Sequence, residues 1–249
     1  MTSAGARYEG RTGPELQVLL DLPRVVVYDE VPSTQDVTHA LGEAGAPSGT
    51  LVVADAQSAG RGRGSNSWKS AAGAGIWLTM LERPHDSTAA GVLSLRLALR
   101  IAPVLERWTA APIRIKWPND LLVGDGKLAG VLTETRWRGP RLDWIAIGVG
   151  INVVAPDGMN AAALDGVTDR VVVLGELVPA VRAAAAARGV LSPAELEQYA
   201  GRDAVHGRRC REPMSGTAGG ITPDGALIIH AGDGEHAVRS GSLVLEEHS

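Results

Sequence analysis

Two short stretches hold most of the residues that could do chemistry. The first is Gly60-Arg61-Gly62-Arg63-Gly64-Ser65-Asn66-Ser67-Trp68, entered from Gln57. Glycine lets main-chain N–H groups approach a ligand closely, and arginine offers a planar, permanently charged fork for phosphate or carboxylate. Together they suit a mobile loop that folds over an anion. A solvated basic turn and an RG-type nucleic-acid segment fit the same residues. The second stretch, Lys116-Trp117-Pro118-Asn119-Asp120, sets a cation, an aromatic ring, a rigid turn, an amide and a carboxylate side by side. Lys127-Leu128-Ala129-Gly130 follows across a tight turn. A carboxylate near a phosphate needs a bridging cation, so Asp120 is a candidate for Mg²⁺. Lys127 is then a point charge for a phosphate or for developing negative charge. An exposed strand end and a solvated hairpin lysine are the plainer alternatives.

Other signatures fall short. Gly148-Val149-Gly150 imitates a dinucleotide fingerprint, but the third glycine is missing and no amphipathic helix follows. Gly126-Lys127 lacks the upstream glycine and the Ser/Thr of a P-loop, and there is no G-x-S-x-G elbow. The histidines at 39, 85, 206, 230, 236 and 248 show no metal-ligand spacing, which argues against structural zinc.

These groups need a scaffold, and the apolar pattern predicts one. Strands are expected at Arg24–Asp29, Thr50–Ala54, Ile76–Leu81, Ile113–Trp117 and Leu142–Val154, with a hairpin from Leu121–Val123 to Lys127–Arg136. Val37, Ala40, Leu41 and Ala44 lie one helical face apart behind a Ser33 or Thr34 cap, and Gly45 ends that helix. Ser and Thr at such a helix start can also hold a polar ligand group. Further helices are expected over Thr88–Trp108, kinked or ended early by Pro103, and over Gly175–Arg188. Ser192-Pro193-Ala194-Glu195 opens one more with a capping box. Beyond Gly201, short apolar runs broken by Pro223-Asp224-Gly225 and Gly232-Asp233-Gly234 suit a small antiparallel barrel.

Composition bounds the class. The 249 residues are 45% hydrophobic, enough for a packed core, and the net charge of −4 disfavours a protein that coats nucleic acid. No Phe is present, so six Trp and three Tyr supply the large rings. The single cysteine, Cys210, has no partner within the chain and reads as a small buried residue. The first residues carry no apolar signal core, and Trp144–Pro156 is too short an apolar run to span a bilayer. The expected setting is soluble, reducing and cytoplasmic. Residues 1–23 are too few for a winged-helix or helix-turn-helix module.

In combination the motifs are specific. Gly60-Arg61-Gly62-Arg63 with Trp68, Lys116-Trp117-Pro118-Asn119-Asp120, Lys127-Leu128-Ala129-Gly130 and Gly148-Val149-Gly150-Ile151-Asn152 follow one another in the order and spacing of biotin–protein ligases. With Ser33-Thr34, Gln57 and the C-terminal barrel, the resemblance spans roughly residues 25 to 245, and it is to the form without an N-terminal DNA-binding domain. It implies an α+β fold of the class II synthetase and biotin–lipoate ligase kind: a mixed sheet with helices packed on one face, plus a small SH3-like β-barrel. The implied division is a short arm (1–23), a catalytic biotin/ATP-binding domain (24–203) and the barrel (204–249).

The resemblance further implies ATP-dependent joining of biotin, through biotinyl-5′-AMP, to a lysine of the biotin carboxyl carrier domain of an acyl-CoA carboxylase. Neither a membrane nor a nucleic acid is expected as partner; monomer and homodimer stay open. By resemblance Ser33, Thr34, Gln35, Gln57, Gly60, Arg61, Gly148 and Gly150 surround biotin, with Trp68 walling its apolar tail. Arg63, Asn66, Trp68, Asn119 and Asn152 face the nucleotide, and Asp120 faces it through Mg²⁺. Lys127 neighbours the reacting carboxylate and α-phosphate. Lys127, Arg63 and Asp120 are the implied catalytic groups. The family loop usually reads Gly-Arg-Gly-Arg-x-Gly-Arg-x-Trp, so Ser65 and Asn66 replace a glycine and a cation. Gln35 stands where Asn is common, keeping the amide on a longer arm. A lipoate or octanoate ligase of the same fold and a biotin-binding paralogue that does not ligate are the alternatives.

Overall fold

Two valine-rich strands, β1 (Arg24–Val31) and β2 (Thr50–Gln57), run parallel with Val25 opposite Leu51 and Val27 opposite Val53. Successive side chains on a strand point to opposite faces, so Val25, Val27, Leu51 and Val53 join one core while Val26, Tyr28, Val52 and Ala54 join another. In the computed structural model, which describes residues 5–84 and 87–246, these strands begin a seven-stranded mixed sheet. The other strands are β3 (Gly75–Glu82), β4 (Ile113–Lys116), β5 (Asp120–Val123), β6 (Gly126–Arg138) and β7 (Arg141–Asn152). Their order is β1-β2-β3-β7-β6-β5-β4, with every pairing after β1–β2 antiparallel. His85 and His248, two of the scattered histidines, lie outside the described residues.

The main core lies between one sheet face and helices α3 (Leu93–Leu105) and α4 (Arg170–Ala186), joined by α1 (Gly13–Leu19) through Leu16. Helix α2 (Thr34–Glu43) packs on the opposite face, its Val37 and Leu41 against Val26 and Val52. The expectation of helices on a single face is therefore corrected for α2. The reason is parity: β1 and β2 are apolar on both faces, so both must be covered.

Three elements differ from the sequence expectation. Helix α4 begins at Arg170, five residues before Gly175, because Asp169 caps it by accepting from Val171 N at 2.8 Å. The β-branched run Val171-Val172-Val173 hides that turn from a propensity argument. Pro103 does not end α3 early; it sits inside the helix, which ends at Leu105 before a 3₁₀ turn. Residues 13–19, within the polar N-terminal stretch, form α1 behind a Thr12–Glu15 capping box.

The chain ends in a five-stranded antiparallel sheet of β8 (Arg209–Glu212), β9 (Gly216–Ile221), β10 (Leu227–Ala231), β11 (Gly234–Val238) and β12 (Val244–Leu245). This matches the small C-terminal β fold expected. Cys210, Ala218, Leu227 and Ile229 share the main core, and Trp117 Nε1 donates to Gly225 O at 3.0 Å. The turn after β4 thus meets the turn between β9 and β10. Among the described residues no helix is long and apolar enough to cross a membrane.

Helix α5 (Pro193–Arg202) is tied to α3 through Arg96, which is almost fully buried. Its Nε donates to Glu195 Oε1 at 2.6 Å, and Nη2 donates to Glu195 Oε2 and Val190 O. Those Arg96 hydrogen bonds hold the Glu195 carboxyl down at about 2. A depressed carboxylate stabilises the fold above its unfolded value, and that contribution fades as pH falls towards the folded one. Glu195→Gln should cost about 3 kcal/mol at neutral pH, with the gap to wild type closing as pH drops from about 5 towards 2. Urea titrations across that range measure it.

Candidate active site

The sheet face beneath α2 is stripped of side chains where the site lies. Gly130 on β6 pairs with Gly150 on β7, Gly150 with Trp77 on β3, and Gly148 with Leu132 and Thr79. Paired residues share a face, so three glycines leave a hollow floored by backbone. Trp68 lies across it. A Cβ at Gly150 would meet the Trp68 ring at 2.7 Å, and one at Gly130 would meet it at 2.9 Å. At Gly148 the neighbour is the Gln35 amide, at 3.3 Å. The Trp68 ring also meets Trp77 edge-on, with centroids 6.4 Å apart.

The resulting cavity is about 350 Å³. Ser33, Thr34, Gln35, Gln57, Arg61, Arg63, Asn66, Trp68, Asn119, Asp120, Lys127, Gly148 and Gly150 all line it. Gly60 and Asn152 do not. Gly60 is a packing position, since a Cβ there would sit 2.4 Å from Trp68 O. Asn152 is buried behind the wall, where Nδ2 donates to Lys127 O at 3.0 Å and Ala162 O at 3.1 Å. It fixes the backbone of Lys127.

One end of the cavity is a neutral polar network built at the start of α2. Thr34 donates to Gln57 Oε1 through its backbone N (2.9 Å) and through Oγ1 (3.1 Å), and Oγ1 also meets Thr79 Oγ1 at 2.8 Å. Gln57 Nε2 donates to Ser70 Oγ at 2.8 Å. Gln35 Nε2 donates to Leu132 O at 3.1 Å, leaving Gln35 Oε1 buried with no partner. Trp68 Nε1 is also buried and unpartnered. A buried acceptor and a buried donor without partners are costly unless a ligand completes them.

The other end is charged. Lys127 Nζ lies 2.7 Å from Asp120 Oδ1 and 4.9 Å from the Trp68 ring centroid. Asp120 Oδ1 is buried, and this ion pair is its charged contact. Burial pushes the Lys116 amine below its ordinary value; Asp120 opposes the shift, and Lys127 and Arg208 add to it. Asn119 Nδ2 is committed to Val131 O at 2.7 Å.

The Gly-Arg stretch forms a hairpin lid. Gln57 bridges Ser70, Trp68 N donates to Gly60 O, Arg61 bridges Ser67, and Gly62 N donates to Asn66 O at 2.8 Å. Gly64, at φ +65, turns the tip. Asn66 Nδ2 donates to Arg63 O at 3.0 Å, so the amide that replaces the usual cation secures the turn. Arg63 reaches Gly241 O in the C-terminal sheet region, with its guanidinium 5.8 Å from the Trp117 ring centroid.

Sequence reasoning missed Thr79, Met159, Ser242 and Leu243, which also line the cavity. Thr79 lies in a strand whose alternating pattern could have aimed it at the site. Met159, Ser242 and Leu243 arrive from loops distant in sequence and carry no local signal.

A family model described as "Biotin/lipoate A/B protein ligase family" matches residues 27–152, and one described as "Biotin protein ligase C terminal domain" matches 204–245. The chain belongs to the biotin/lipoate A/B protein ligase family. The biotin--[acetyl-CoA-carboxylase] ligase of Mycobacterium tuberculosis is 30% identical over 214 residues, 79% of each chain. The bifunctional ligase/repressor BirA of Bacillus subtilis is 40% identical over 130 residues. That match covers 52% of this chain and 40% of BirA, so the chain spans less than half of that relative. Among solved structures, the biotin protein ligase from Aquifex aeolicus in complex with biotin and ATP superposes with a TM-score of 0.72 at 25% identity, covering 90% of this chain and 99% of that one.

The Trp68–Gly150 contact gives a direct test. Gly150→Ala should drive the indole off the sheet and destabilise the fold by about 1–3 kcal/mol, as overpacking does. Gly91→Ala, at a position with open space around it, is the control in the same urea titration.

Proposed function

We propose that this chain is an ATP-dependent biotin–protein ligase. Biotin's carboxylate attacks the α-phosphorus of ATP, pyrophosphate leaves, and biotinyl-5′-AMP is retained. The neutral amine of a carrier lysine then attacks the acyl carbon, an amide forms and AMP departs. The carrier is the biotin carboxyl carrier domain of an acyl-CoA carboxylase, met in the cytoplasm.

One observation carries the reading: a single cavity joins a neutral polar pocket to a cationic end. The first holds a buried unpartnered acceptor, Gln35 Oε1, and the second holds Lys116, Lys127 and Arg63. A ureido ring with its N–H groups suits the pocket, an apolar tail suits the Trp68 face, and two anions suit the cationic end. The names of the relatives, biotin ligases for acetyl-CoA carboxylase among them, support biotin over lipoate. The complex of the Aquifex relative with biotin and ATP supports both substrates.

Cations in place before reaction lower the cost of bringing carboxylate and triphosphate together. Lys127 is assigned to the developing charge between them. The mixed anhydride hydrolyses in water, so the lid over the cavity has a solvent-excluding role. Arg63, tied to the C-terminal region, is assigned to holding that lid near the activated phosphate. Asp120 is assigned to accept the proton from the incoming lysine, as a carboxylate lining the cavity beside Lys127 can.

Mg²⁺ fits the same residue, since it is commonly held by one or two carboxylates together with substrate phosphates. Asp120 would be its protein ligand, and the bound ion would neutralise phosphate charge. Among the described residues no group of three or more His, Cys, Asp and Glu gathers as a cage that could hold a metal without substrate.

Incubation with biotin, MgATP and an apo carrier domain should give biotinylated carrier and pyrophosphate, read by mass. No product from a folded preparation with any biotin-accepting carrier would overturn the reading. Calorimetry with biotin against lipoate separates it from a lipoate ligase, and tight biotin binding without turnover would indicate the binding paralogue. Lys127→Ala should cut adenylate formation by roughly 100-fold or more while leaving the unfolding midpoint in place. A retained rate would refute the role given to Lys127.

A further inference from the structure

The lid's first arginine is held by protein carboxylates. Arg61 Nη1 donates to Asp36 Oδ1 on α2 at 2.6 Å, and Nη2 donates to Glu134 Oε1 on β6. Glu134 lies two residues beyond Leu132 on the strand that floors the cavity, so it projects from the same face. Its second oxygen, Oε2, is 3.0 Å from His39 Nε2 on α2. The other ring nitrogen, His39 Nδ1, accepts from Trp144 Nε1 at 3.2 Å. An indole N–H can only donate, so Nδ1 is unprotonated and Nε2 carries the hydrogen given to Glu134.

The result is a directed chain: Trp144 orients His39, His39 fixes one oxygen of Glu134, and the other oxygen holds Arg61. Trp144 itself is immobilised, because β7 and α2 approach so closely at Gly42 that a Cβ there would meet the indole at 2.7 Å. The surface pair Arg136–Glu43, farther along β6, has its arginine 5.8 Å from the Trp144 ring centroid but lacks a histidine behind its carboxylate, and it is more exposed on both sides than Arg61–Glu134.

We propose that Glu134 is a positioning residue that latches the lid shut through Arg61, with His39 and Trp144 setting its direction. This rests on the ligase reading for its kinetic consequence, though not for the latch itself. The lid is a hairpin rooted at Gln57–Ser70, and its Arg61–Ser67 rung lies between the root and the Gly64 tip. Fixing Arg61 to α2 and β6 fixes that rung over the neutral end of the cavity. Loss of the Glu134 charge leaves Asp36 alone, on an exposed side chain. The lid then opens more often and the substrate beneath it escapes more readily. Chemistry at Lys127, once substrate is bound, is unaltered.

The test compares Glu134→Gln with Glu43→Gln, which removes the more exposed pair that α2 makes with Arg136 of β6. Trypsin reads lid opening without reference to activity, because the lid carries cleavage sites after Arg61, Arg63 and Lys69. In Glu134→Gln, cleavage there should be about three- to tenfold faster, a charged hydrogen bond discounted for the partial exposure of Arg61. The apparent KM for biotin should rise by a similar factor, with kcat within about twofold. Glu43→Gln should match wild type in both. Glu134→Asp, too short to span His39 and Arg61 together, should fall between.

Unchanged cleavage in a Glu134→Gln protein whose unfolding midpoint matches wild type would overturn the latch, whatever the kinetics. A fall in kcat at unchanged KM would also overturn it, since that would put Glu134 in the chemical step. Faster cleavage in the variant together with no turnover by the wild-type chain would uphold the latch and overturn the ligase reading.

Discussion

The site depends on the approach of one indole to a bare sheet. Trp68 can lie against β6 and β7 only because Gly130 and Gly150 place no Cβ under it, where one would sit 2.9 and 2.7 Å from the ring. The consequences spread from there. The indole closes one wall of the cavity, stacks edge-on against Trp77 and passes beneath the ammonium of Lys127. It also ends the lid, so the lid's geometry and the sheet's glycines are set by the same contact. The volume that a larger residue would fill becomes the space a ligand enters.

Around that contact the polar groups divide by charge. At the start of α2, hydroxyls and amides satisfy one another almost completely, so the network is rigid and neutral. At the far end Lys116 is desolvated, and Lys127 shares space with Asp120. The lid spans both ends. Arg61 is tied to α2 and β6, while Arg63 is tied to the C-terminal region near Gly241. The small β fold is thereby a wall of the cavity as well as a neighbour, since Ser242 and Leu243 line it.

The departure at Ser65 and Asn66 has a structural counterpart. An arginine in place of Asn66 would add charge near the cavity, whereas the Asn66 amide closes the lid's own turn on Arg63 O. The hairpin rungs then order the lid from within. The lid is held by its own backbone and anchored at two arginines.

Much of this was legible in the chain. The alternation of β3, β6 and β7, the cap at Ser33 and the Lys-Trp-Pro-Asn-Asp turn are local signals, because period and turn chemistry act over a few residues. Those signals determined the individual strands and the C-terminal β fold, while the mixed sheet and the site residues were implied by the resemblance that the motifs carry in combination. Tertiary structure alone decided what depends on distance. It set α2 on the opposite face, put Asn152 behind the wall and turned Glu134 and His39 towards Arg61. His39 and Glu134 are 95 residues apart in sequence and 3.0 Å apart in space. No spacing rule links them. Their meeting follows from sheet register and from the close packing of α2 on β7 at Gly42, and only the folded chain fixes both.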